Sequence, residues 1–300
     1  MTEKLENRAW SFEDRFRQFG IPQDLEETIR LRQEALRLSP VGSSDRPGVI
    51  ESLVCSLISR ADTYGDFTDR TPSVDLAREL LGLSPVGHNN RSGALNALGW
   101  SLHQRFKSKG DDIDLEEAIV LLREGSTIKD GSQPYLMCGL ACALRTKFER
   151  HSHARDVLEA VDVMRESAKR QDRTNPSWEA IMFLGTILAF SFQISGDTKV
   201  IDEAITLHRQ SLQQFPGRHA YRYTHLLSLA RSLRFRGGVT GLAEAKKLLE
   251  EALELIVGDS PGNLRRQAKV RMRLEELEAK VAAEVKNGCT AVYGSDTDEA

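Results

Sequence analysis

Apolar residues three and four positions apart recur along nearly the whole chain, with charged residues between them. This spacing places apolar side chains on one stripe of an α-helix. The helical segment Asp114–Asp130 has a close copy 90 positions earlier, at Asp24–Pro40, and a partial copy at Asp69–Pro85. Self-similarity at a fixed period is the sequence signature of a stacked array of repeats. The sequence therefore predicts an all-α fold built from repeated helices.

A small residue in the middle of each copy gives the register of this helix, which we name the second helix of each pair. The marker residues are Thr28, Ser73, Ala118, Ala160, Ala204 and Ala245, so the period is 41 to 45 residues. The start of the helix is indicated by an aspartate with a glutamate three positions later, as in a capping box. On this basis we predict N-caps at Asp24, Asp114 and Asp156.

The first helix of each pair carries a second recurring pattern. Its clearest copies, Trp10–Phe16 and Trp100–Phe106, match at an offset of 90 residues. We interpret these aromatic residues as core, because a stripe at helical spacing normally packs against a neighbouring helix. A glycine follows this helix in five copies and is expected to end it in the left-handed conformation. These glycines are Gly20, Gly65, Gly110, Gly196 and Gly237.

Together the two patterns predict an α-solenoid of about six helix pairs plus a C-terminal capping helix. The predicted pairs are 1–40, 45–85, 90–129, 133–172, 175–215 and 218–257. A thirteenth helix, from about 263 to 286, has one apolar line and a charged remainder, which suits a terminal helix with a single neighbour. We expect one domain, 1–286, in which stacked pairs form a curved, right-handed superhelix. Residues 287–300 are polar and acidic without a period, and we predict a disordered tail.

Composition narrows the functional classes only slightly. The net charge of -3 argues against a general nucleic-acid binder. Four scattered cysteines are too few for a disulfide framework, which favours a reducing compartment. The N-terminus lacks a secretory signal, and the longest apolar run, Ala180–Phe190, is shorter than the roughly 20 residues of a membrane-spanning helix. We expect a cytoplasmic protein without a membrane segment.

The second helix resembles that of the tetratricopeptide repeat, because Ala118 and Gly125 are seven residues apart. The first helix contributes Leu98, Gly99 and Leu102, similar to that family's Leu-Gly-x-x-Tyr element with leucine in place of tyrosine. The phrases DLEEAI and SPVG resemble the long repeats of fungal proteins in which such arrays often precede a CHAT protease domain. The resemblance covers roughly residues 5–257. It implies first helices that line a concave, protein-binding groove, and we expect no protease chemistry in this chain itself.

Catalytic motifs are not apparent in the sequence. It contains no GxxxxGK[ST], GxGxxG, GxSxG or HExxH pattern. Cys138 and Cys142 share one side of a helix, with His151 and His153 downstream, but this is not a zinc-type spacing. We interpret the two cysteines as core, because Cys142 aligns with Trp100 and Cys55 in the repeat. We therefore predict a non-enzymatic protein without a metal or cofactor.

A basic residue recurs once per repeat on the first helix, at Arg15, Arg60, Arg105 and Lys147. One interpretation is structural, with these cations paired to helix C-terminal carbonyls or to an acidic series on the second helix. That series is Glu34, Glu79, Glu124, Glu166 and Glu251. The functional interpretation is a ladder of cations along the groove that holds an acidic peptide, because guanidinium groups bind carboxylates in a bidentate manner. This ladder is the predicted partner site.

A second basic set lies between residues 218 and 236, where no acidic residue occurs. Its members are Arg218, Arg222, Arg231, Arg234 and Arg236. Cations with interleaved aromatic residues can bind nucleic acid by stacking and phosphate contact. The structural interpretation is charge matching with the acidic helix that follows, which carries Glu250, Glu251 and Glu254.

These features predict a protein-interaction scaffold or adaptor that binds a peptide or protein segment in the concave groove. Two alternatives remain open. One is a regulatory sensor array of a CHAT-type system that acts with a separate effector. The other is phosphate or nucleic-acid binding through the second basic set. Neither the partner's identity nor the oligomeric state follows from the sequence.

Overall fold

The structure is a computed structural model that describes residues 1–64, 70–130, 133–170, 178–217, 219, 221–256 and 261–293. Every regular element in these ranges is a helix, as the apolar pattern predicts. The thirteen helices are α1 (Thr2–Phe19), α2 (Pro22–Arg37), α3 (Arg46–Tyr64), α4 (Arg70–Leu83), α5 (Arg91–Lys109), α6 (Asp112–Ser126), α7 (Gln133–His151), α8 (Ala154–Arg170), α9 (Trp178–Ser195), α10 (Thr198–Gln213), α11 (Arg222–Arg236), α12 (Val239–Glu254) and α13 (Pro261–Tyr293).

The chain is an all-α solenoid of six helix pairs followed by a thirteenth helix, which confirms the predicted fold class. From α1 to α11, each odd-numbered helix is the first of a pair and packs against the even-numbered second helix that follows it. The final helix, α13, runs from Pro261 to Tyr293 and is longer than the predicted 263–286. Residues 294–300, half of the predicted tail, lie outside the described residues, so the division at 286 stays a prediction.

Glycine ends the first helix as predicted. Gly20, Gly110 and Gly196 have φ of 67°, 73° and 66°, the left-handed conformation that favours glycine. Gly237 also ends its helix with a positive φ of 75°, but its ψ of -162° lies outside the left-handed helical conformation that was predicted. In the fourth pair Ser152 takes this place with φ of 59°. Gly65 lies outside the described residues.

The predicted N-caps lie inside the first turn of their helices, three residues after the actual cap in α2 and α6. In α6 the cap is Asp111, whose carboxylate accepts a hydrogen bond from the Ile113 amide at 3.1 Å. Asp114 lies in the first turn instead, is buried, and pairs with a cation of the first helix. The helix dipole stabilises a carboxylate both at the N-cap and in the first turn. An aspartate near the start of the helix therefore does not by itself identify the N-cap residue.

The array curves because its two rows of helices are packed differently. Neighbouring first helices contact one another directly, from α3 to α5, α7, α9 and α11. No comparably extensive contact joins neighbouring second helices in the described residues. The closely packed first helices therefore form the inner face and the second helices form the outer face.

Long side chains bridge the wider spacing on the outer face. One ion pair joins each second helix to the next from α4 onward, and a last one joins α12 to α13. The pairs are Arg78–Glu117 at 2.8 Å, Arg123–Glu159 at 2.6 Å, Arg165–Glu203 at 3.4 Å, Arg209–Glu244 at 2.6 Å and Lys246–Glu278 at 2.8 Å. Most of these side chains are about half exposed, so each pair contributes little to stability on its own.

The curvature brings the last helix back to the beginning of the array. Helix α13 contacts α3, although four helix pairs lie between the second pair and α13 along the chain. Lys107 of α5 is near enough to Lys269 of α13 to disfavour its charge. Side chains from distant repeats therefore share one surface inside the curve.

One continuous hydrophobic core runs from Ile50 of α3 to Leu277 of α13. The first pair has two smaller clusters, centred on Leu31 and Phe16. The apolar run Ala180–Phe190 lies within α9, where most of its side chains are buried in this core. No helix in the described residues has the length and apolar character needed to cross a membrane.

Candidate functional site

The cations of the predicted ladder are all paired within the chain. Each contacts an acidic residue in the first turns of a second helix. The pairs are Arg15–Asp24 at 3.2 Å, Arg60–Glu26 at 2.7 Å, Arg105–Asp114 at 2.6 Å and Lys147–Glu116 at 2.7 Å. The partner belongs to the cation's own pair in the first and third cases and to the preceding pair in the other two.

These ion pairs differ from the structural interpretation in one respect. That interpretation assigned the cations to helix C-terminal carbonyls or to the acidic series that includes Glu79 and Glu124. The structure pairs these two glutamates with Arg46 and Arg91, at the start of the first helix in the same pair. A partner surface made of the predicted ladder would therefore have to replace existing ion pairs.

A recurring contact of the first-helix N-terminus joins the second, third and sixth pairs to the pair before each of them. Arg91 donates from Nε and Nη2 to Glu124 at 2.9 and 2.6 Å, and from Nη1 to the Ser84 carbonyl at 3.1 Å. The same geometry occurs at Arg46, with the Ser39 carbonyl, and at Arg222, with the Phe215 carbonyl. These carbonyls lie just beyond the preceding second helix, where backbone acceptors need partners. We name this arrangement the arginine clamp.

The second predicted basic set does not form one continuous face. Arg222 belongs to the arginine clamp through Glu251, and Arg236 pairs with Asp202 at the other end of α11. Arg234 lies near Glu276 of α13 at 3.5 Å. Arg218 lies outside the described residues. Only Arg231, among the described members, has no ion-pair partner in the described chain.

Arg231 lies in a row of side chains that crosses the first helices on the inner face. Its guanidinium carbon lies 5.2 Å from the centre of the Phe190 ring of α9, and that of Arg145 of α7 lies 5.1 Å from the same ring. Phe190 is buried and meets Phe235 of α11 edge-on, with ring centres 5.9 Å apart. Arg234 lies over the Phe235 ring at 5.4 Å. Aromatic faces attract guanidinium groups and hold them in fixed positions.

Further cations approach this row from α5 and α13. We name the whole set the inner cation cluster, consisting of Lys107, Arg145, Arg231, Arg234, Lys269 and Arg273. Burial, together with the positive charges of Arg145 and Arg273, lowers the pKa of Arg231 to about 9. Partial desolvation by the surrounding protein also lowers the pKa of Lys269 and of Arg273, with neighbouring cations adding to the effect. Positive charge is therefore concentrated here beyond what the protein neutralises.

Two carboxylates near the inner cation cluster are already engaged. Glu149 pairs with Arg145 on the same helix at 2.7 Å, and Glu276 lies near Arg234. Arg231, Lys269 and Arg273 form no ion pair with any residue that the structure describes. The Nε of Arg231 is buried without a hydrogen-bond partner. An incoming anion would find three unpaired cations at one place.

The first helix pair, at the opposite end of the array from this cluster, has balanced charge. Arg32 is fully buried and pairs with Glu13 at 2.7 Å and with Glu6 at 3.6 Å, while its guanidinium lies over the Trp10 ring. Burial raises the pKa of Glu6 despite the nearby Arg32. The first pair thus satisfies its own buried cation, and the excess of positive charge is confined to the later repeats.

An aromatic contact lies between these two ends. The Trp100 ring of α5 reaches the Phe183 ring of α9, with centres 6.4 Å apart. A side chain at Gly139 of α7 would collide with the Trp100 indole, since a Cβ there would lie 2.9 Å from Nε1. The glycine lets Trp100 lie across the intervening helix. Trp100 is therefore partly a core residue, as predicted, and partly an inner-face residue.

The predicted core cysteines are buried, whereas Cys55, which shares the register of Cys142, is exposed. No group of three or more potential metal ligands converges within the described residues. Sequence reasoning singled out Arg231 and Arg234 but missed Arg145, Phe190, Lys269 and Arg273 as their neighbours. The repeat register contained a signal, because Phe190 and Arg231 occupy equivalent positions on consecutive first helices, 41 residues apart.

Comparison with known proteins adds little to this geometry. No protein-family model matches the chain, and no curated protein matches it. Among solved structures, the nuclear import adaptor Nro1, a hypoxic regulator of sterol synthesis, is 15% identical, covers 90% of this chain and 94% of its own, and has a TM-score of 0.42. The assembly chaperone of RpL4, Acl4, is 13% identical, with coverage of 94% and 99% and a TM-score of 0.37. At TM-scores this low, neither protein informs the function of this chain.

Proposed function

We propose that this chain is a non-enzymatic scaffold or adaptor that holds a segment of a partner protein against its inner face. The observation that carries the proposal is the direct packing of neighbouring first helices, which gathers side chains from α5, α7, α9, α11 and α13 on one concave surface. A preformed surface of this kind binds without a large ordering cost. Its apolar rings can supply affinity, and its cations can fix the position of the segment.

The repeats are of the tetratricopeptide type in this proposal, with a longer period than usual. The small residues that characterise the second helix of that repeat have a packing role here, which supports the assignment. A Cβ at Gly125 would lie 2.4 Å from a methyl group of Leu136 on the next first helix. We place the protein in the cytoplasm, where its cysteines would stay reduced.

Site-specific photo-crosslinking tests which face binds the partner. A photoreactive amino acid would replace Gln193 of α9, which is exposed and shares the repeat register of Arg234. The matched control position is Val120 on α6, which is exposed on a second helix. Crosslinking in native cell extract should attach the same partner segment, identified by mass spectrometry, at position 193 and not at position 120.

Crosslinking from positions 193 and 120 can also contradict the proposal. Equal crosslinking from both positions, or crosslinking of one defined segment only from position 120, would contradict binding on the inner face. A protein without a partner would give no reproducible segment from either position.

A further inference from the structure

We infer that the inner cation cluster is the docking site for an internal acidic segment of the partner protein, whose side-chain carboxylates pair with Arg231 and Arg273. The inference rests on the proposed scaffold function and adds to it the chemistry of the bound segment.

The first support is the unpaired state of the cations. Arg231 is partly buried, its Nε is buried without a hydrogen-bond partner, and no described carboxylate lies within ion-pair distance. Removing a charged group from water without a partner is costly, so such groups are normally paired in folded proteins. Elsewhere the same chain pairs its buried arginine, Arg32, with two carboxylates. A ligand that brings carboxylates would supply what Arg231 lacks.

The second support is that the cluster is held in place before any ligand arrives. The Phe190 ring contacts the guanidinium groups of both Arg145 and Arg231, and Glu149 holds Arg145 from its other side. Arg273 and Lys269 project from α13, which is itself anchored by Lys280 to the carbonyl of Arg234. Cations with fixed positions lose little conformational entropy on binding, which increases affinity.

The third support is access from solvent. Lys107 and Lys269 are exposed, while Arg231 and Arg273 are partly buried. An anionic group can therefore enter from the exposed lysines and reach the arginines. A guanidinium group presents two parallel donors that match the two oxygens of a carboxylate, so arginine is suited to this ligand.

The charge distribution favours a short acidic segment over a nucleic acid. A nucleic acid needs a continuous basic track, because its phosphates repeat along the whole strand. Here the positive charge is interrupted by Glu149 and Glu276, whose side chains are 42% and 48% exposed beside the cluster. Phosphates that extended past the cluster would meet these carboxylates, whereas a short acidic segment can end before them.

Fluorescence anisotropy with the full-length chain tests the inference. The probe is a labelled ten-residue peptide with alternating aspartate and glutamate and an amidated C-terminus, so that only side-chain carboxylates can bind. The matched neutral peptide carries asparagine and glutamine at the same positions. A ten-nucleotide oligothymidine tests the nucleic-acid alternative.

The decisive variant is the double substitution Arg231→Gln with Arg273→Gln. Its control, Arg209→Gln with Arg236→Gln, removes the same charge from two exposed arginines that have partners in the chain. We expect the first variant to weaken binding of the acidic peptide at least tenfold and the second to change it less than twofold. The neutral peptide should not bind measurably. Circular dichroism of each variant confirms that the helices persist.

Equal affinity of the wild type and the Arg231/Arg273 variant for the acidic peptide would overturn the inference, as would no binding by the wild type. Tighter binding of oligothymidine, with the same dependence on Arg231 and Arg273, would assign the cluster to nucleic acid instead. None of these outcomes affects crosslinking from position 193, which tests the proposed scaffold function separately.

Discussion

Gly99 lies where two helices approach too closely for a side chain. A Cβ at this position would lie 2.5 Å from Cγ of the fully buried Leu122 and 2.8 Å from one of its methyl groups. We expect Gly99→Ala to reduce the free energy of unfolding by about 1–2 kcal/mol, because overpacking outweighs the gain of about 1 kcal/mol in helix propensity. Urea unfolding measures the change.

Gly82 of α4 provides the matched control for this substitution. Nothing lies within 4 Å of a Cβ built there. Gly82→Ala should therefore leave stability unchanged or raise it by up to about 1 kcal/mol through helix propensity alone. Equal stability of the two alanine variants would contradict the close approach at Gly99.

His208 occupies a core position that other repeats fill with leucine, as at Leu122 and Leu249. Burial lowers the pKa of His208 to about 3, and the charge of Arg231 adds to this effect. The folded protein keeps the imidazole neutral, whereas the unfolded chain protonates it below about pH 6.5. Stability contributed by His208 is therefore complete above pH 6.5 and is lost as the pH falls from there towards 3.

Replacing His208 with leucine should remove this pH dependence. The wild type should lose up to about 1.4 kcal/mol per pH unit more than His208→Leu as the pH falls below 6.5. Urea unfolding at pH 7, 5.5 and 4 compares the two proteins. Parallel losses in both would show that His208 is protonated in the folded state.

The sequence predicted individual residues well where packing decides their position. Phe16, Phe106, Cys138 and Cys142 are buried as the apolar period requires. The prediction that Trp10 is a core residue is wrong, because its side chain is 47% exposed and stacks on Arg32 at the surface of the first pair.

The sequence predicted ion-pair partners poorly, because a long cationic side chain can reach a carboxylate in its own helix pair or in the preceding helix pair. Arg105 pairs with Asp114 of its own pair, whereas Arg60 pairs with Glu26 of the preceding pair. The repeat register is identical in both cases and does not distinguish them.

The arginine clamp connects one helix pair to the next. The Arg91 side chain is 18% exposed and bonds both Glu124 and the Ser84 carbonyl. We expect Arg91→Met to lower the free energy of unfolding by about 1–2 kcal/mol, because partly buried hydrogen bonds to charged groups are stronger than exposed ones. Urea unfolding provides the measurement.

Arg30→Met is the control for the clamp. Arg30 also contacts two glutamates, Glu27 and Glu34, but all three lie on the surface of α2. Exposed pairs within one helix contribute about 0.2–0.5 kcal/mol each, so this variant should be nearly as stable as the wild type. A loss as large as that of Arg91→Met would mean that the clamp has no special role in joining pairs.

Helix positions were predictable because the apolar period and the closing glycines agree. Helix starts were less predictable, since Asp111 and Asp114 both lie near the N-terminus of α6 and only one of them caps it. The arginine clamp could not be predicted from either pattern. It depends on where the loop places the Ser84 carbonyl relative to the next helix.

The shape of the array depends on the difference between its two faces. First helices pack directly, while second helices are joined by exposed ion pairs, and this difference curves the stack. The sequence predicts a curved stack but not how far it curves. The degree of curvature decides whether Lys107, Arg231 and Lys269 form one cluster, so the candidate site could be recognised only in three dimensions.

The distance between α5 and α13 tests this account most directly. Spin labels at Lys107→Cys and Lys269→Cys, with Cys55 and Cys289 replaced by serine, would be measured by double electron–electron resonance. The two lysines interact electrostatically, which requires separation within about a Debye length, so we expect a label distance below about 25 Å. In an open rod, four successive steps of about 8–10 Å would place the helices roughly 32–40 Å apart. A distance in that longer range would contradict the shared inner face and the cation cluster on it.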